Sequence, residues 1–128
     1  MKTFFDSILE DNDGFTSSIA VAELSVGAHL SSRSGSIEKT MELLSLISVI
    51  NLNYKIAFHG GKIYSELVRR GLGIELNDCL IAATGLSVGI TEIVTRNINH
   101  FERIDGIYTR HRHKLRFFSV VERNYSGT

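Results

Sequence analysis

From Cys79 to Val88 the chain runs ten residues without a charge, Cys-Leu-Ile-Ala-Ala-Thr-Gly-Leu-Ser-Val, and no other stretch constrains the fold as much. A helix that is apolar around its whole circumference has to be buried. Asn77 or Asp78 is placed to cap its start, and Gly89 to close its end. The rest of the chain has to cover this segment, and 128 residues suffice for one domain with one core, expected over 1–128.

Helical and strand periodicities alternate around it. Residues 2–10 read as a helix with Phe5, Ile8 and Leu9 on its apolar face, 11–14 as a turn, 15–21 as a strand and 22–30 as a helix. Ile37, Met41, Leu44 and Ile47 recur at helical spacing and predict a helix over 37–47. Residues 49–52 predict a short buried strand. Residues 54–70 predict a helix with Ile56, Ile63 and Leu67 facing in, and Gly60 and Gly61 in its middle point to a close packing contact. A strand is expected over 91–95, a helical turn over 97–101, and a final edge strand over 115–121. Such alternation argues for an α/β domain with a mainly parallel sheet. In such sheets polar residues just after strand C-termini gather at one edge, where ligands bind. Glu23 and Asn97 follow predicted strands, and Asp78 at a helix start is placed to face the same edge.

Several function classes are excluded or disfavoured. Formal net charge is zero, so the molecule as a whole has no bulk attraction for a polyanion. The charge is unevenly spread, with Asp6, Glu10, Asp11, Asp13 and Glu23 early and Arg110, Arg112, Lys114, Arg116 and Arg123 late. A single cysteine, Cys79, rules out an internal disulfide and a cysteine-built zinc site, and reads as an inert core thiol. The first residues lack the pattern of a secretory leader, and the longest apolar run, 43–52, is broken by Ser45, Ser48 and Asn51 and is too short for a bilayer. Gly60-Gly-Lys62 lacks the spacing and the following Ser/Thr of a phosphate loop, and no nucleophile elbow is present.

Two segments carry a specific resemblance. Ser18-Ile-Ala-Val-Ala-Glu-Leu-Ser-Val-Gly-Ala28 resembles the second acidic motif of PIN domains of the VapC toxin type. Leu76-Asn-Asp-Cys-Leu-Ile-Ala-Ala-Thr84, with Gly89-Ile-Thr and Val94-Thr-Arg-Asn-Ile-Asn-His-Phe-Glu-Arg-Ile104, resembles the third acidic motif, the buried helix behind it and the last motif. The helix carrying Gly60 and Gly61 and ending in Leu67-Val-Arg-Arg-Gly71 is similar in kind and place. The resemblance covers about 15–106.

It implies a three-layer α/β/α fold and a metal-dependent ribonuclease. In that family carboxylates hold Mg²⁺ or Mn²⁺, and a water attacks the phosphodiester of RNA. By resemblance Glu23 and Asp78 are the metal-site carboxylates, and Asn97 stands where many relatives carry Asp. Thr95 and His100 lie beside that site, where they can position substrate. The resemblance also implies a cytoplasmic homodimer with a cognate antitoxin. The chain departs from the family at its start. Asp6 lies on the polar face of the predicted 2–10 helix, so the first strand and its aspartate are expected to be missing. Two explanations stand: a start site upstream, or a degenerate relative. The alternative function is a catalytically impaired module that binds antitoxin or RNA without cleaving.

Overall fold

The computed structural model of this chain describes residues 14–90, 92–93 and 98–109. The helix predicted over 2–10, the expectation about the first strand, the strand predicted over 115–121 and the basic segment from Arg110 lie outside the described residues, as do Thr95 and Asn97. In chain order the elements are β1 (Phe15–Ser17), α1 (Ser18–Leu30), α2 (Ser36–Leu44), β2 (Ser48–Ile50), α3 (Tyr54–Arg69), α4 (Leu76–Ser87), β3 (Glu92–Ile93), α5 (Ile98–Phe101) and β4 (Tyr108–Thr109).

Pairing is parallel in both ladders, as expected. Phe15 lies opposite Ser48 and Ser17 opposite Ile50, while Glu92 lies opposite Tyr108. Among the described residues these form two separate two-stranded ladders. Parallel neighbours cannot be joined by a tight hairpin and need a crossover. Here α1 and α2 make the first crossover and the segment containing α5 makes the second. No helix among the described residues is long and apolar enough to cross a membrane.

The core is built around α4, whose Cys79, Ile81, Ala82 and Ala83 are fully buried. Against it pack Ile56, Ile63 and Leu67 of α3, Ala20 of α1, Ile93 of β3, and Phe101, Ile104 and Ile107. Gly89 ends the segment with φ at +79°, a conformation that glycine adopts without a Cβ penalty. The turn it makes lets the Ile90 N–H donate to the Gly85 carbonyl at 2.9 Å and drops Ile90 into the core.

Several boundaries differ from expectation. The strand predicted over 15–21 stops at Ser17, and the helix predicted from residue 22 starts at Ser18. Ser17 is the cause: its backbone is extended, and its hydroxyl accepts from the Ala20 N–H at 3.0 Å. That cap starts the helix despite the β-branched Ile19 and Val21. The Leu52 N–H donates to Ser18 Oγ at 3.0 Å and ties the same junction to the chain beyond β2. The helix predicted over 37–47 ends at Leu44, where the Ser45 hydroxyl donates to the Glu42 carbonyl at 2.6 Å. The strand predicted over 49–52 is β2, Ser48–Ile50, and it is not buried: Val49 is 40% exposed. Only β1 pairs with it among the described residues. α4 begins at Leu76 with Glu75 as a cap that makes no side-chain bond, so Asn77 and Asp78 sit inside the first turn rather than capping it.

The close contact inferred from Gly60 is present. A Cβ there would lie 2.6 Å from Leu80 Cδ2 and 3.3 Å from Leu80 Cα, whereas a Cβ on Gly61 would meet nothing within 4 Å. The two neighbours are therefore expected to respond with opposite sign. Gly61→Ala should raise stability by about 1 kcal/mol, the helix-propensity difference. Gly60→Val should lower it by about 2 kcal/mol, because it overpacks the α3–α4 contact. Urea midpoints at unchanged slope measure both. Equal shifts would mean that the two helices do not meet at Gly60.

Candidate functional site

Asp78 lies in the first turn of α4, where unsatisfied N–H groups and the helix dipole favour an acid. It is nevertheless only 2% exposed. A carboxylate that far from water is costly unless it is hydrogen-bonded. His100 on α5 supplies such a bond, with Nδ1 2.7 Å from Asp78 Oδ2. When the carboxylate is ionised it only accepts, and Nδ1 is then the donor.

Glu23 lies half-buried in the second turn of α1, because that helix starts earlier than expected. Its Oε2 accepts from Asn77 Nδ2 at 3.3 Å. Asn77 directly precedes Asp78, so the first turn of α4 meets α1 through one side chain and α5 through the next. α1 and α4 also pack against each other and against β1. Glu23 thus bonds to the residue next to Asp78.

α5 is held in place from two sides. Phe101, next to His100, is 0% exposed and belongs to the core. The Arg103 guanidinium donates to the carbonyls of Leu72 at 3.4 Å and Gly73 at 3.1 Å, in the loop that leads into α4. Cys79, beside Asp78, is buried and reduced. Burial and then the Asp78 charge push its thiol up from 9.0 to about 11. That agrees with an inert core thiol and leaves it no thiolate for nucleophilic work at neutral pH.

Among the described residues no group of three or more His, Cys, Asp or Glu is arranged to hold a metal ion. Glu23 and Asp78 offer hard oxygen donors. Two carboxylates fit Mg²⁺ or Mn²⁺, which keep several waters, and do not fit an ion that demands an all-protein cage. Asn97 and Thr95 lie outside the described residues, so their relation to this pair is not part of the geometry. Sequence reasoning treated Asn77 only as a cap, and its contact with Glu23 was missed. Adjacency to Asp78 on the same turn was the one available signal. His100 was placed beside the site, but its bond to Asp78 joins residues 22 apart in sequence, and no local pattern announces that.

Comparison with known proteins matches residues 2–107 to the PIN domain family. The chain is 33% identical over 101 residues to Ribonuclease VapC2 of Rickettsia felis, covering 78% of this chain and 75% of that protein. It is 35% identical over 92 residues to the tRNA(fMet)-specific endonuclease VapC of Salmonella typhimurium, covering 71% of this chain and 69% of that one. Among solved structures, DNA-bound VapBC from Salmonella typhimurium matches with a TM-score of 0.65 at 32% identity, over 77% of this chain and 75% of that chain.

Proposed function

Because this chain belongs to the PIN-domain family, on the match of 2–107 and the similarity to VapC ribonucleases, we propose that it is a VapC-type toxin endoribonuclease that cleaves RNA with a metal-activated water. One observation supports the reading: Glu23 and Asp78 come from two separated motifs, and Glu23 accepts from Asn77, the residue next to Asp78 in the first turn of α4. When bound, Mg²⁺ or Mn²⁺ supplies an acidified water and offsets charge on the phosphoryl oxygens. Glu23 and Asp78 would hold it. Asn97 orients the water or the phosphate, and Thr95 helps to seat the substrate. Arg110, Arg112, Lys114 and Arg116 hold the RNA backbone electrostatically. The VapBC structures support an antitoxin protein as partner. A cytoplasmic homodimer is part of the same proposal.

A second reading is favoured by one specific observation, the absence of a three-ligand acidic group among the described residues. On that reading the chain binds antitoxin or RNA without cleaving. Cleavage of labelled RNA by the purified protein separates the two. The enzyme reading expects cleavage with Mg²⁺ or Mn²⁺ and none after EDTA. Intact RNA in the presence of folded protein and metal would favour the binding module.

A further inference from the structure

We propose that His100 is a positioning residue: through Nδ1 it helps to orient the Asp78 carboxylate toward a divalent cation. The inference rests on the metal-site reading of Glu23 and Asp78. Rotation of an aspartate carboxylate about its last torsion is broad, so burial alone does not fix its direction. A short hydrogen bond does, and the 2.7 Å contact to His100 is such a bond.

The arrangement differs from an ordinary surface ion pair. There both partners stand in water and contribute little. Here the side chain of Asp78 is 3% exposed, while that of His100 is 39% exposed. The acid lies inside and the imidazole covers it from the solvent side. The imidazole is itself anchored, since Phe101 is fixed in the core and Arg103 clamps the turn to the 72–73 carbonyls. The backbone that carries the histidine is therefore tied to the core. The corresponding contact at the other carboxylate, Asn77 to Glu23, is longer at 3.3 Å and exposed. Outer partners of this kind orient a ligand and tune its affinity, and their loss weakens metal binding or activity about 10–100-fold.

The test is Mn²⁺ binding by calorimetry to the whole 128-residue chain, with thermal melts of each variant and steady-state cleavage of labelled RNA. His100→Ala should weaken Mn²⁺ about 10–100-fold and lower kcat with little change in KM for RNA. His100→Asn places an N–H near the position of Nδ1 and should restore most of the Mn²⁺ affinity. Asn77→Ala should change it less than His100→Ala. Wild-type Mn²⁺ affinity in His100→Ala would overturn the proposal. So would a loss that His100→Asn does not relieve and that follows the melting temperature, because His100 would then be only a structural tie between α4 and α5. If the wild-type protein neither binds Mn²⁺ nor cleaves RNA, the metal-site reading fails and takes this inference with it. If the wild type does both and His100→Ala is unaffected, the reading stands and only the role of His100 falls.

Discussion

Asp78→Asn is expected to reduce metal-dependent RNA cleavage by about 10²-fold or more while the protein stays folded. The magnitude follows from the charge removed. A divalent ion in a nuclease site supplies several kcal/mol of transition-state stabilisation. Each ~1.4 kcal/mol lost is a factor of ten in rate. The two-carboxylate site offers no third acid among the described residues to take over. Folding is expected to survive because asparagine keeps an acceptor oxygen for His100 and fills the same volume. Asparagine also carries no charge that needs burial, and Asp78 is only 2% exposed. Rates at saturating Mg²⁺, with circular dichroism as a check on folding, make the measurement. Wild-type cleavage by Asp78→Asn would remove Asp78 from the metal site and with it the core of the proposed function.

Phe101→Ala is expected to lower stability by about 3–5 kcal/mol, the usual cost of truncating a buried phenylalanine. Phe101 is 0% exposed and heads the largest fully buried side chains. It belongs to a helix of four residues that has little stability of its own, so the ring holds that turn to the core. A loss of that size is a large share of the ~5–15 kcal/mol that keeps a domain folded. The melting temperature should fall by roughly 10–20 °C. Glu102→Ala, one residue further along and exposed, should stay within about 0.5 kcal/mol of wild type. Similar melting temperatures for both variants would mean that α5 is not anchored through Phe101.

The contrast between these two neighbours reflects what a sequence can and cannot announce. Helices with strong periodicity were legible. The inward face of Ile56, Ile63 and Leu67, the close approach at Gly60 and the all-apolar α4 all appear where spacing and composition put them. Short strands were less so. The segment after Phe15 has β-branched residues and reads as strand, yet a single serine hydroxyl bonding to Ala20 turns it into helix at residue 18. β2 reads as buried because Val49 and Ile50 are apolar, but this strand of three residues, paired only with β1 among the described residues, leaves Val49 40% exposed. The motifs single out Glu23 and Asp78 as site candidates. Their partners Asn77 and His100 come from a contact across 54 residues and another across 22, which only the folded chain brings together.

Cys79 has a practical consequence through its place next to Asp78. It is the only thiol in the chain, it is sealed from solvent, and with its pKa raised to about 11 only roughly a thousandth of it is thiolate at pH 8. A maleimide or similar reagent therefore reacts only in moments when the first turns of α4 open. Its labelling rate in native buffer is a clock for the opening of the site itself, separate from global unfolding. A ligand that closes over Glu23 and Asp78, whether cation, RNA or partner peptide, would slow that clock without any probe having to be introduced.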